Sequence, residues 1–224
     1  MSLASALAPQ SRSSSVPHAM PVVFVVDNDD SVRETLETMI NSAGWQPHAF
    51  ASAQEFLACP RTFVPSCLVL DVTHPDVNGL ELQKRIAADR TDMPIIIITG
   101  HSDVAMTVQA MKAGAVEFLT KPFREEELLS AIRYAIERSQ AALRMEAQLR
   151  AVKERHALLS RREREVMALV VAGRLNKQVG GELGISEITV KAHRGRAMQK
   201  MQARTLVDLV NMAATLRLAI GLQR

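Results

Sequence analysis

Three unbroken apolar runs, Val22-Val-Phe-Val-Val26, Cys67-Leu-Val-Leu70 and Ile95-Ile-Ile-Ile98, set the architecture of this chain. A strand with one wet face alternates apolar and polar residues, whereas a run with no polar position must be covered on both faces. The runs are rich in β-branched residues, whose stiff side chains suit a pleated sheet. Gln46–Phe50 and Glu117–Thr120 supply two weaker strands. Amphipathic segments lie between them. Val32, Leu36, Met39 and Ile40 share one helical face, Val104, Val108 and Met111 another, and Leu128, Leu129, Ile132 and Ile136 a third. Five strands alternating with five helices over about 115 residues imply an α/β fold with a five-stranded, doubly wound parallel sheet. Such sheets place their functional crevice at the carboxyl ends of the strands.

The remaining sequence divides around that sheet. Residues 1–20, rich in Ser and Ala, lack a basic start and an apolar segment, and are expected to form a disordered tail rather than a signal peptide. The α/β domain is expected over 21–138. From Arg124 to about His156 there is no proline or glycine, so a long helix should leave the domain, with 139–156 as a helical linker. Over 157–224 four short helices are expected. Ser160-Arg-Arg-Glu163 is a capping-box pattern opening the first, which ends near Gly173. Asn176–Leu183, Glu187–Met201 with Ser186 as N-cap, and Leu206–Leu216 follow. The three-residue turn Gly184-Ile185-Ser186 between the second and third outlines a helix-turn-helix, making this an all-α domain.

Charge separates the same two halves. Gln140 to Arg224 holds 16 Lys and Arg against 7 Asp and Glu, while the whole chain carries only +3. An acidic first half and a basic second half call for different partners, with polyanions for the second. Aromatic residues are 4% of the chain and none follows Tyr134, which disfavours RNA recognition by base stacking. No apolar run approaches the ~20 residues that span a bilayer, so no membrane partner is expected. Cys59 and Cys67 form no metal-ligand spacing and are expected as reduced thiols.

The strand ends carry the first chemical constellation. Asp27, Asn28, Asp29 and Asp30 follow the first strand, Asp71 the third, Thr99 ends the fourth and Lys121-Pro122 the fifth. Parallel strands deliver all of these to one edge. Clustered carboxylates repel one another and are tolerated where a hard cation such as Mg²⁺ sits among them. A central aspartate there can act as a nucleophile towards a phosphoryl group, with the cation, a lysine and a hydroxyl neutralising its oxygens.

On Val25-Val26-Asp27, Leu70-Asp71-Val-Thr-His-Pro75-Asp-Val-Asn-Gly79, Ile98-Thr99-Gly100-His101 and Lys121-Pro122-Phe123, residues 21–138 resemble the receiver domain of bacterial two-component response regulators. The resemblance implies that Asp71 is the phosphoacceptor, supplied by a sensor histidine kinase. It makes Thr99 the switch hydroxyl, Lys121 the phosphate-contacting lysine and Phe118 the aromatic that changes rotamer. Mg²⁺ would be held by Asp27, Asn28, Asp71 and the backbone carbonyl of Thr73. This chain departs from the family at Asn28, where receivers carry a second acidic residue that binds the metal directly. An amide oxygen coordinates without charge, so cation affinity should fall, with Asp29 as a substitute donor. His74 stands where the family has an apolar residue and is read as a tolerated loop substitution.

From Leu159 the chain resembles the LuxR/NarL-type helix-turn-helix, and joined to this receiver it is most similar to the FixJ branch. The residues that carry this are Leu159-Ser-Arg-Arg-Glu163-Arg-Glu165-Val166, Gly173, Asn176-Lys177, Leu183-Gly-Ile185-Ser186 and Thr189-Val190-Lys191-Ala-His193. On the recognition helix, Glu187, Lys191 and Arg194 are spaced as one exposed stripe for base or groove contact, with Ile188, Val190 and Met198 facing the core. Arg196 and Lys200 are expected as phosphate contacts, and Lys177 and Thr189 as backbone clamps. Gly195 replaces a larger side chain of the family. Gly180-Gly181 would cost ~1 kcal/mol each inside a helix, and close packing against the recognition helix is the expected reason.

The function these features imply is a cytoplasmic bacterial response regulator that binds double-stranded promoter DNA. It would act as a homodimer on phosphorylation or DNA binding, and activate transcription with RNA polymerase. A phosphorylation-independent regulator with a degenerate receiver is the alternative that Asn28 supports. A phosphatase would also use an aspartyl nucleophile, but the sequence lacks an Asp-x-Asp motif and a substrate-capping insertion, so no enzyme is expected. A protein-only adaptor would show no salt-dependent DNA affinity.

Overall fold

The computed structural model describes residues 20–61, 63–72, 86, 90–100 and 104–221. Thr73, His74, Gly79, His101 and the tail over 1–19 lie outside them, as does the helix expected between the third and fourth strands, apart from Ile86. The elements are β1 (Val22–Val26), α1 (Asp30–Ser42), β2 (Gln46–Phe50), α2 (Ala53–Ala58), β3 (Ser66–Asp71), β4 (Ile95–Thr99), α3 (Val104–Lys112) and β5 (Glu117–Thr120). Then come α4 (Glu125–Ala157), α5 (Arg161–Val171), α6 (Asn176–Leu183), α7 (Glu187–Met201) and α8 (Leu206–Gly221). The last helix continues past the expected Leu216.

All strand pairings are parallel, in the order β2-β1-β3-β4-β5. The two-residue period of each strand sends alternate side chains into two separate cores. Val22, Phe24, Val26, Leu68, Leu70, Ile95 and Ile97 pack on one side with Phe56 of α2 and Ala110 of α3. Val23, Val25, Cys67, Val69, Ile96 and Ile98 pack on the other with Leu36 and Ile40 of α1 and Leu128, Ile132 and Ile136 of α4. Both faces are buried, which is why these runs carry no polar alternation. Cys59 and Cys67 are free thiols. From β1 the chain crosses to β2 on one side and then to β3 on the other, so the topological switch point lies between Asp27 and Asp71.

One helical face points the wrong way for the sequence reading. Val104, Val108 and Met111 of α3 do share a side, but all three are exposed, at 81, 42 and 44%. The helix meets the sheet through Ala110, whose small side chain is fully buried.

The chain divides into two compact units, the first ending at Ala141 and the second beginning at Ala142. The helix α4 contributes to both. Ser139, expected to open the linker, is instead fully buried, and its Oγ accepts a hydrogen bond from the backbone N–H of Ser66 at 2.9 Å. The first unit therefore extends beyond the expected end at 138. Val152, near the other end of α4, packs on Leu159, Met167, Ala197, Met201 and Leu209 of the second unit. A second apolar cluster, Val166, Val170, Val179 and Val190, joins α5, α6 and α7.

Candidate functional site

The carboxyl edge of the sheet assembles a charged pocket. β1 delivers Asp27, β3 delivers Asp71 and β4 delivers Thr99, all buried. Lys121 follows β5, and its backbone N–H donates to the Thr99 carbonyl at 2.7 Å, which sets the root of its side chain. Its Nζ donates to Asp27 Oδ2 and Asp71 Oδ2, each at 2.7 Å. Burial alone pulls the Lys121 ammonium towards neutrality, but the two carboxylates outweigh it and hold its pKa above the ordinary lysine value. The pocket thus brings together Asp27, Asp71, Thr99 and Lys121 as the sequence reading requires.

The turn after β1 has a division of labour. Asp27 Oδ1 accepts the backbone N–H of Asp29 at 2.9 Å. Asp29 is the N-cap of α1. Its Oδ1 accepts from Ser31 Oγ at 2.7 Å and from the Ser31 and Val32 amides at 2.9 and 3.4 Å, and these bonds hold its carboxyl below the usual range. Asp29 is therefore engaged in starting a helix, whose dipole also favours the negative charge. Asn28 is exposed. Arg33, which sequence reasoning missed, donates Nη1 to the Asp27 carbonyl at 2.7 Å and also pairs with Asp30, tying the loop to α1. Phe118 is half-buried against the core below, in register with Ile97. The two buried carboxylates Asp27 and Asp71 are hard oxygen donors of the kind that suits a small divalent cation such as Mg²⁺, and exposed Asn28 follows Asp27 in the chain. Asp27, Asp71 and Asn28 would hold it.

In the second unit, Ser160 and Glu163 form the capping box of α5, with the Ser160 amide donating to Glu163 Oε2 at 2.8 Å. Ser186 caps α7 and bonds the Thr189 amide and hydroxyl at 3.1 and 2.8 Å. The turn between α6 and α7 requires a glycine at two points. Gly184 closes α6 at φ +67. Gly180 lies so close to that turn that a Cβ on it would sit 2.7 Å from the Ile185 carbonyl oxygen. Close packing therefore accounts for Gly180, but against the turn rather than the recognition helix itself, whose nearest atom, Glu187 N, would lie at an ordinary 3.7 Å. Gly181 has nothing within 4 Å of a Cβ, and the same explanation fails there.

The recognition helix is rotated from its expected setting. Its buried residues are Val190, Ala197 and Met201. At about 100° per residue, the side opposite them carries Ile188, Ala192, Gly195 and Gln199, all exposed. Ile188, expected in the core, is 80% exposed. Glu187 and Lys191 form an exposed flank, with Lys191 Nζ 3.1 Å from Glu187 Oε1. Arg194 leaves the expected stripe: it is half-buried, with Nη1 3.5 Å from Asn176 Oδ1. Arg196 and Lys177 are exposed and Thr189 is half-buried.

Lys200 is not a free phosphate contact. Its Nζ donates to the buried Glu163 Oε2 at 2.6 Å, bonding α7 to the start of α5. The Lys200 bond, then the Ser160 amide, hold the Glu163 carboxyl below the ordinary glutamate value. A depressed carboxyl pKa stabilises the fold above the unfolded value, and that contribution is lost as pH falls through the folded one. Lys200→Met is expected to destabilise this unit by about 1–2 kcal/mol at neutral pH, discounted because the lysine is 38% exposed. Melting curves of the two proteins should converge as the pH drops below about 4; a constant difference would refute the pairing.

Comparison with known proteins matches both units. The family of the response regulator receiver domain matches residues 23–133, and the luxR family of bacterial regulatory proteins matches residues 157–213. Nodulation protein W of Bradyrhizobium diazoefficiens is 48% identical over 195 residues, covering 87% of this chain and 86% of that protein. The transcriptional regulatory protein FixJ of the same organism is 41% identical over 191 residues, covering 85% and 93%. Among solved structures, the response regulator StyR superposes with a TM-score of 0.79 at 43% identity, covering 88% of this chain and 99% of that one. Full-length FixJ of B. japonicum gives 0.52 at 40% identity, covering 88% and 97%.

Proposed function

Because the chain belongs to the response regulators that join a receiver domain to a LuxR-type DNA-binding domain, we propose that Asp71 accepts a phosphoryl group from a sensor histidine kinase and thereby controls promoter binding. The observation that carries the reading is the lysine bridge. Lys121 holds Asp27 and Asp71 side by side at the switch point of the sheet. In the reaction a carboxylate oxygen of Asp71 attacks phosphorus, the bond to the kinase's histidine nitrogen breaks, and the departing imidazole takes up a proton. Lys121 faces the phosphoryl oxygens, and Thr99 supplies a hydroxyl at the end of β4. Bound Mg²⁺ would supply charge neutralisation at those oxygens. The phosphorylated form pairs on double-stranded promoter DNA and engages RNA polymerase to activate transcription. The chain works beside that DNA in the bacterial cytoplasm; no helix among the described residues is long and apolar enough to cross a membrane.

The test uses a small phosphodonor with Mg²⁺ and a promoter-sized duplex. The wild type should take up acid-labile phosphate and bind DNA more tightly, and Asp71→Asn should do neither. Affinity should fall steeply with salt, as counterions are released from each neutralised phosphate.

A second reading, regulation without phosphorylation, draws on Asn28 and on the engagement of Asp29 at the helix start. It expects Asp71→Asn to bind DNA as the wild type does. Under the first reading Asn28→Asp adds a charged donor and should raise Mg²⁺ affinity about tenfold, read by calorimetric titration.

A further inference from the structure

We propose that Ile188 and Ala192 select thymine in the DNA site, by packing on the C5-methyl of a T·A pair in the major groove. The inference rests on the helix-turn-helix reading above and names what its outward ridge recognises. Ile188 lies in the first turn of α7, the part of a recognition helix that reaches base edges. It is 80% exposed and stands opposite Val190, Ala197 and Met201, which are fully buried. Ala192 and Gly195 continue the same ridge, so its side chains shorten from a branched C4 group to a methyl to none. No atom lies within 4 Å of a Cβ placed on Gly195. The ridge can therefore seat deeply from Ile188 to Gly195, with Gln199 as the next side chain on the same side.

The flanks identify the occupant. Lys191 and Arg196 border the ridge, and exposed Lys177 begins the preceding helix. An apolar ridge between cations matches a groove between two phosphate rows. On the major-groove edges of the four base pairs, the thymine methyl is the one apolar group. Lys191 is turned onto Glu187 at 3.1 Å, which offsets the charge it would present to a guanine. The central reading position thus belongs to hydrocarbon.

The full chain, treated with phosphodonor, and its Ile188→Ala variant are each used to select duplexes from a randomised pool. The wild type should enrich a thymine at a fixed place in each half-site, and the variant should accept cytosine there. Replacing that thymine by deoxyuridine removes only the methyl. This should weaken wild-type binding about fourfold per half-site, the effect of one buried methyl, and weaken the variant, which keeps Ala192, by clearly less. Ile188 is exposed, so the variant keeps its fold. Retention of the same thymine and the same deoxyuridine penalty by Ile188→Ala overturns the inference, as does a wild-type site insensitive to every such replacement. If the wild type enriches no sequence and binds no duplex at low salt, the DNA-binding reading itself fails.

Discussion

Gly180→Ala is expected to destabilise the second unit by about 2–3 kcal/mol and to cut DNA affinity at least tenfold, while its neighbour Gly181→Ala stabilises by about 0.5–1 kcal/mol. Both substitutions remove the same backbone freedom and improve helix propensity by the same amount. They differ only in space. A methyl on Gly180 meets the Ile185 carbonyl oxygen at 2.7 Å, and that oxygen belongs to backbone that cannot rotate away. The Gly180 carbonyl meanwhile accepts the amides of Gly184 and Ile185, so the turn is folded back onto this residue. Relief requires α6 and α7 to part, which moves the recognition helix against its scaffold. A methyl on Gly181 meets nothing. Thermal melts of the full-length variants read the stability, and equal melting temperatures would remove the steric argument.

The second large effect is expected in the receiver pocket. Lys121→Met should lower stability by about 2–3 kcal/mol at neutral pH and abolish phosphate uptake. It leaves Asp27 and Asp71 buried side by side without the cation that joins them. The figure sits below that for a fully enclosed pair because the lysine is 24% exposed. Adding Asp27→Asn in the same chain removes one of the two repelling charges and should recover more than half of the loss. A double-mutant cycle in urea measures that coupling, and strict additivity would sink the account. The pH sense is fixed by the raised Lys121 pKa. Its contribution is complete below the ordinary lysine value and disappears only as pH climbs through the elevated one, so physiological changes leave the bridge intact.

The receiver was legible in the sequence because burial on both faces leaves unbroken apolar strands, and parallel strands place their terminal residues on one edge. Asp27, Asp71, Thr99 and Lys121 needed no more than that rule. The role of Asp29 was harder to see, since an aspartate after a strand serves a cation and a helix start equally well; Ser31 two residues on was the available signal. The recognition helix misled for a different reason. Its buried side is made of Val190, Ala197 and Met201, while an isoleucine as apolar as any of them points outward. Hydrophobicity alone therefore does not mark its inner face. The spacing of those three residues does, and it would have turned Arg194 towards Asn176 and Ile188 to the outside. Lys200 could have been recognised by asking what neutralises Glu163, a carboxylate that the capping box buries.

The bond between the Ser139 hydroxyl and the Ser66 amide gives the first unit a built-in clock. That amide begins the central strand β3 and is sealed from water by a residue of α4. Its proton can trade for deuterium when the helix lifts from the sheet or when the first unit unfolds as a whole. The protection of this one site therefore reports the free energy of the smallest opening that frees the helix leading towards the second unit.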